Sequence, residues 1–233
     1  MQEYLRAFRH RVLEVYLLPS LRGTPVDQLA RNAEIPVQYK SRSFFDLLAG
    51  RGTHQGVAAS LLAFPYDSLQ NIVERNANLL LILDGILDPR NLGALLRTAE
   101  AVGVGGVILP KRRSASLSPL VEKAAAGAVA YVPVCQVENL ARALAAIRET
   151  GYWLVGLAPD AHQTLYDLDL SGKIALLLGG EEKGLRSLTR QKCDFLVTIP
   201  MLGKLESLNV SVAGAVALYE FVRRALIRET KDS

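Results

Sequence analysis

At 233 residues, half of them hydrophobic and 21% charged, the chain has the length and balance of one large or two modest globular domains, with a core that needs no covalent staples. Two cysteines without metal-ligand spacing, Cys135 and Cys193, argue against a disulfide framework or a zinc site and fit a reducing cytoplasm, and no apolar run is long enough to cross a bilayer. The formal net charge is +4, and residues 1–65 carry eight Lys/Arg against five Asp/Glu, so the front of the chain suits a polyanionic partner such as nucleic acid.

The opening "MQEYLRAFRHRVLEVYLL" is basic and amphipathic but lacks the unbroken apolar core of a signal peptide. Within it, "RVLEVYLL" alternates as a strand does. "TPVDQLARNAE" is expected as a helix behind a Thr24 cap, "IPVQYKS" as a second strand and "SFFDLLAG" as a short helix ending on Gly50. "THQGVAASLLAF" completes a small α/β unit over residues 1–64. The polar stretch 65–78, "PYDSLQNIVERNAN", is expected as a linker.

From Leu79 onward short apolar strands alternate with helices. The strands are "LLLILD", "GVILP", "AYVPV", "YWLVGLA", "IALLLGG" and "DFLVTIP"; between them lie helical stretches such as "NLGALLRTAEAVG", "SPLVEKAAAGA" and "VENLARALAAIRETG". Continuous apolar strands of this kind form a parallel sheet covered on both faces, and ligands of such sheets sit beyond the strands' carboxyl ends. Three strand-end loops are polar enough to matter.

In "DPRNLGALLRTAE", Asp88-Pro89 can start a helix as cap and first residue. Asn91 then sits at the helix mouth, Gly93 allows close approach, and Arg97 follows one turn later with a planar fork suited to phosphate. In "LLLGGEEKGL", Gly179 and Gly180 end a buried strand before Glu181, Glu182 and Lys183, without the spacing of a Walker loop. In "IPMLGKLESLNVSVAGAVALYEF", Ser207 or Asn209 could simply cap the helix that follows; two such residues are more than one cap requires. The glycines of "GVGVGG" (103–106) end a helix instead of opening one, so no dinucleotide fingerprint exists and a nicotinamide-dependent dehydrogenase is excluded.

In this order and spacing the three loops resemble the motifs of the SpoU (TrmH) family of RNA ribose 2′-O-methyltransferases, in the SPOUT superfamily. Asn91, Gly93 and Arg97 match the first motif; Gly179, Glu181, Gly184 and Leu185 match the second. Ile199, Pro200, Met201, Gly203, Ser207, Leu208, Asn209, Val210, Ser211 and Ala213 match the third. Glu182 departs from the pattern, since many relatives have glycine there. The resemblance covers residues 79–233. The front part resembles the small ribosomal-protein-like RNA-binding domain of the rRNA-modifying members, and it is expected to lack that domain's usual first element.

The resemblance implies an α/β parallel sheet closed by a C-terminal deep trefoil knot, behind a small α/β RNA-binding domain. It implies S-adenosylmethionine as cofactor, held by Gly179, Ile199 and Leu208 with Leu178, Gly180, Met201 and Asn209 beside them. It implies Arg97 as the central catalytic group, aided by Asn91, Glu181, Ser207 and Asn209, with no metal. A homodimer is implied, and Lys111, Arg112 and Arg113 of "PKRRSAS" suit RNA phosphates. The implied substrate is a guanosine of large-subunit (23S) rRNA; the alternatives are a tRNA or, in a different class, a knotted RNA-binding dimer without catalysis.

Overall fold

The computed structural model describes residues 1–2, 5–6, 9–50, 54–64, 66–169 and 171–229, and the chain divides into two compact units, Met1–Phe64 and Pro65–Ser233. The first unit holds β1 (Val12–Leu17), α1 (Pro25–Asn32), β2 (Val37–Tyr39), α2 (Arg42–Ala49) and β3 (Val57–Leu61). Its sheet has the order β2-β1-β3, with β1 parallel to β2 and antiparallel to β3. Alternation along β1 sends Val15 and Leu17 inward, fully buried, against Leu5, Val26, Ala30 and Ile35. Thr24 occupies the cap position of α1, yet its hydroxyl bonds back to the Leu21 carbonyl (2.6 Å). The turn is held instead by buried Asp27, which accepts from the Gly23 N–H (2.7 Å), the Tyr39 hydroxyl (2.9 Å) and Arg31 Nε (2.9 Å). These bonds, the Gly23 one foremost, lower the Asp27 pKa. Thr53, the first residue of the expected last strand, lies outside the described residues, and β3 begins only at Val57.

The second unit begins with a correction. The stretch expected as a linker carries α3 (Leu69–Glu74), whose Ile72 is fully buried among core residues, and Asp67 N–H bonds to the Val134 carbonyl at 2.8 Å. The alternating elements follow: β4 (Leu79–Asp84), α4 (Pro89–Ala101), β5 (Val107–Pro110), α5 (Pro119–Ala124), β6 (Val134–Val137), α6 (Leu140–Glu149), β7 (Tyr152–Leu157), β8 (Gln163–Thr164), β9 (Lys173–Gly179), α7 (Ser187–Lys192), β10 (Phe195–Thr198) and α8 (Val210–Glu229). The strand expected at "AYVPV" lies later, over β6. Residues 128–130 form a 3-10 turn, and Pro133 has no N–H to give a ladder. The two-residue β8 was not anticipated.

The sheet order is β6-β5-β4-β9-β7-β10-β8, and every pairing is parallel. All six residues of β4 are buried, the continuous apolar run that a doubly covered strand requires. On one face Leu80, Ile82, Leu154, Ala175 and Leu177 pack against Ile72 and α6. On the other, Gly214 of α8 faces Leu95 and Leu178, which leave no room for a Cβ. Gly93 of α4 likewise lies against Ala124 and the Val121 carbonyl, so its open side is used by α5. Because β9 enters between β4 and β7, the chain order switches there, and a crevice opens beyond the carboxyl ends.

Midway along α8, Glu220 is 6% exposed and accepts from Arg223 (2.7 and 2.8 Å) and Arg224 (2.6 Å). Arg224 also donates to the Leu165 and Tyr166 carbonyls, both at 2.8 Å. The two guanidiniums, Arg223 foremost, hold the Glu220 carboxyl down at about 2. A carboxylate with a lower pKa folded than unfolded stabilises fully above its ordinary value, and that stabilisation is lost as pH falls toward the folded value. Glu220→Gln is therefore expected to have a lower urea midpoint than the parent at pH 7. The gap should narrow as pH falls from 4.5 toward about 2, and a pH-independent gap would contradict this assignment.

Candidate active site

Three strand ends and the mouth of one helix build the site. A cleft of about 600 Å³ is lined by Leu157–Asp160 after β7, Leu178–Leu185 after β9, Thr198, Ile199 and Met201 after β10, and Glu206–Val210 with Ala213 at the mouth of α8. Its volume lies within the roughly 300–1,000 Å³ typical of small-molecule sites. Among the described residues, 201–208 make no backbone-to-backbone hydrogen bond, so their amides and carbonyls are free for a ligand. Every residue expected at the cofactor is here: Leu178, Gly179, Gly180, Ile199, Met201, Leu208 and Asn209.

Gly179 has a steric reason. A Cβ there would stand 1.9 Å from the Gly184 carbonyl carbon and 2.0 Å from the Leu185 nitrogen. The loop after β9 folds straight back over it: Gly184 N–H bonds to the Gly180 carbonyl (2.9 Å), with Gly184 at φ +60°. The Gly180 N–H bonds to the Asp84 carbonyl (3.0 Å), tying this loop to the end of β4. Glu181, carried on the loop, then reaches across to α4.

A single line of hydrogen bonds joins the three motifs. Asn91 Nδ2 donates to Glu181 Oε1 (2.7 Å), and Asn209 Nδ2 donates to Asn91 Oδ1 (3.1 Å). Asn209 Oδ1 accepts from the Ser211 N–H (2.9 Å) and Ser211 Oγ (2.6 Å), while its carbonyl takes the first helical bond, from Ala213 (2.9 Å). Asn209 is thus the cap of α8. The cap fixes its amide orientation, because only oxygen can accept from a backbone N–H, and this in turn orients Asn91 toward the carboxylate. The helix therefore opens three residues later than Ser207. Ser207 is exposed in the cleft and makes no hydrogen bond among the described residues.

Arg97 does not line the cleft. Gly93 is buried against α5, and Arg97, one turn on, is exposed with no hydrogen bond or ion pair among the described residues. Asp88 caps α4 through the Arg90 N–H (2.8 Å), as anticipated. Lys111 is engaged by Glu138 at 2.6 Å, and Lys111 foremost, with exposed Arg112, lowers the Glu138 pKa; exposed Arg113 has no hydrogen bond or ion pair among the described residues. Glu182 is exposed at the cleft rim. Burial pushes the Cys135 thiol up to about 11 and Cys193 to about 12, so neither is a nucleophile at neutral pH. Among the described residues no group of three or more His, Cys, Asp or Glu could hold a metal ion, and no helix is long and apolar enough to cross a membrane.

Sequence reasoning missed two features. One is the wall from Leu157 to Asp160, which the carboxyl-end rule applied to "YWLVGLA" would have found. In it Asp160 pairs with Arg190 of α7 at 2.8 Å, a bond that lowers the Asp160 pKa and joins two sides of the cleft. The other is Asp84 with Arg186, described below. Gly179→Ala is expected to abolish ligand binding in the cleft, because its clash is with backbone and cannot be relieved by a rotamer. Asn209→Ala should cost about 1 kcal/mol through loss of the cap. Calorimetric titration and urea unfolding of the two variants test both; an alanine at 179 with full binding would refute the steric account.

The geometry can now be set beside known proteins. The profile described as "SpoU rRNA Methylase family" matches residues 78–219, and that described as "RNA 2′-O ribose methyltransferase substrate binding" matches residues 2–66. A Xanthomonas axonopodis pv. citri protein named 23S rRNA (guanosine-2′-O-)-methyltransferase RlmB is 48% identical over 210 residues, 88% of this chain and 84% of its own length. The Pseudomonas aeruginosa protein of the same name is 44% identical over 96% of this chain and 93% of its own. The crystal structure of the SpoU methyltransferase AviRb from Streptomyces viridochromogenes in complex with AdoMet is 26% identical, with a TM-score of 0.72 over 97% of this chain and 88% of that one. With its parallel sheet, its three joined motifs and these matches, the chain belongs to the SpoU rRNA methylase family.

Proposed function

We propose that the protein is an S-adenosylmethionine-dependent methyltransferase that modifies a ribose 2′-hydroxyl of RNA, a guanosine of 23S rRNA. The observation that carries this is the hydrogen-bonded line Glu181–Asn91–Asn209 at the mouth of a cleft of cofactor size. The relatives named for 23S rRNA at 48% and 44% identity favour this substrate over tRNA. The chain's residues fit the cofactor by shape and chemistry. Gly179 and Gly180 let the loop close against the Gly184 and Gly85 backbone to form the cleft wall, free backbone groups at 201–208 can bond the cofactor's polar ends, and Leu157, Leu178, Ile199 and Leu208 offer apolar contact.

When bound, S-adenosylmethionine supplies an electrophilic sulfonium methyl. Transfer of that methyl to the ribose 2′-oxygen would release the thioether, with the hydroxyl proton passing to solvent water. A hydroxyl is a weak acid, so the residues must position it and stabilise developing charge. The role of the Arg97 guanidinium is to grip the neighbouring phosphate and face the charge growing on oxygen. Its freedom from internal partners suits a group that waits for substrate. Asn91 has one remaining Nδ2 hydrogen for the ribose, and Ser207 offers an uncommitted hydroxyl in the cleft.

The family's knot and dimer complete this reading. The family's knot would thread the C-terminal chain through the loops at the carboxyl ends of the sheet, the end at which the motif loops meet. On α8 the exposed residues Val212 (49%), Tyr219 (54%) and Leu226 (57%) recur every seven positions, an apolar stripe suited to a second copy. Mixed Tyr219→Glu and Leu226→Glu replacement is expected to give monomers in sedimentation, and an unchanged dimer would exclude this face. The first unit is read as the RNA-binding domain, supported by its family match and by cations stacked on rings: Arg22 over Tyr39 (4.5 Å) and Lys40 over Phe44 (5.7 Å).

The test is labelled methyl transfer to unmodified 23S rRNA and to tRNA transcripts, with the product mapped by alkali resistance. A single resistant guanosine in 23S rRNA is the expected result, and label on tRNA alone would overturn the substrate. Arg97→Ala should bind S-adenosylmethionine normally and lose transfer by two or more orders of magnitude, comparable to about 10²–10³ for one lost transition-state donor. Undiminished transfer would remove Arg97 from the mechanism.

A further inference from the structure

Asp84 ends β4 as a carboxylate only 1% exposed, at the edge of the most apolar part of the sheet. A buried charge is costly unless paired and hydrogen-bonded. Its partner is Arg186, in the loop between β9 and α7. The Arg186 backbone N–H donates to Asp84 Oδ2 at 3.1 Å. Its Nε stands 2.9 Å from Oδ1 but off the line of the N–H, so Oδ1 is a buried oxygen without an aligned hydrogen bond.

This is not how an arginine that serves only as a tie is held. A structural pair would present two parallel N–H groups to the carboxylate. Here only the Nε edge faces Asp84, the side chain is 41% exposed, and neither Nη group has a hydrogen-bond acceptor among the described residues. The guanidinium lies over Gly85, at φ +89°, where a Cβ would meet Arg186 Nη2 at 3.5 Å and the Arg113 carbonyl at 3.7 Å. Arg186 therefore stands where the loops after β4, β5 and β9 converge, near the segment that carries the exposed Arg112 and Arg113. It is not among the residues lining the cleft, where Arg190 is the arginine present.

We propose that Arg186 is a binding residue for a backbone phosphate of the RNA substrate, its Nε edge parked on Asp84 and its two Nη groups turned to the phosphate oxygens. The proposal rests on the RNA methyltransferase reading above and adds a subsite to it. Asp84 pre-orders the guanidinium before RNA arrives, which reduces the entropy lost on binding. Arg112 and Arg113 extend the same positive surface along the strand ends.

The full chain is titrated with an unmodified 23S rRNA transcript at several salt concentrations, and S-adenosylmethionine affinity and urea midpoint are measured in parallel. Arg186→Gln is expected to weaken RNA binding about tenfold, the cost of one charged hydrogen-bonded contact. The slope of log affinity against log salt should become shallower by about 0.7–0.9, the loss of one phosphate. Affinity for S-adenosylmethionine should stay within about twofold. Because Arg186→Gln alone leaves Asp84 buried without its counter-charge, the double variant Asp84→Asn with Arg186→Gln is the deciding one. It replaces the ion pair with two neutral amides and is expected to recover the urea midpoint while RNA affinity stays low. If the double variant regains both RNA affinity and salt slope, Arg186 merely ties the loop and the proposal falls. Unchanged RNA binding in the single variant overturns it equally. An unaltered chain that binds neither rRNA nor tRNA would instead defeat the RNA methyltransferase reading, and the phosphate contact with it.

Discussion

The carboxyl end of β9 admits no side chain, and much of the site follows from that. With hydrogen alone at Gly179, the polypeptide can double back so tightly that the Gly184 carbonyl carbon lies where a Cβ would be, 1.9 Å away in construction. The fold-back places Glu181 toward α4 and leaves the cleft walls made largely of main chain. Backbone is a good material for such a wall, since its donors and acceptors are fixed by the sheet and need no rotamer entropy to organise.

Charge at the site is managed in pairs. Glu181 is taken up by Asn91, Asp160 by Arg190 and buried Asp84 by Arg186. Arg97 and Arg113 make no hydrogen bond or ion pair among the described residues, and neither do the exposed carboxylates Glu182 and Glu206 at the cleft. Arginines held free of internal partners present positive charge to a polyanion. The cap of α8 adds a second economy, because the same Asn209 amide that ends the helix's unpaired N–H groups also sets which way Asn91 points.

The order and type of the main elements were legible in the residues. Continuous apolar runs such as "LLLILD" can only be doubly buried strands, and Asp88-Pro89 is a helix start by the geometry of proline and the capping bond. Where the reading slipped, local chemistry was overruled by packing. The polar stretch 65–78 hides one face with Ile72 on it, and a six-residue helix is too short for periodicity to announce. "AYVPV" was shifted because proline interrupts a ladder that resumes immediately after it. Thr24 had the right type for a cap, but Asp27 three residues on held the turn more strongly.

By itself the sequence determined the class of fold and the identity of the three polar loops, since hydrophobic period and glycine placement act over neighbouring residues. It did not determine which loops meet. Asn91 and Glu181 are ninety positions apart and Asn209 and Asn91 a hundred and eighteen, and their hydrogen bonds exist because β9 is placed beside β4. The same holds for Asp84 and Arg186, which look like an ordinary strand end and an ordinary exposed arginine until the sheet order brings them within 2.9 Å. Strand order is set by the summed burial of many distant side chains and by chain closure, quantities no short stretch contains. Only the tertiary structure could decide them.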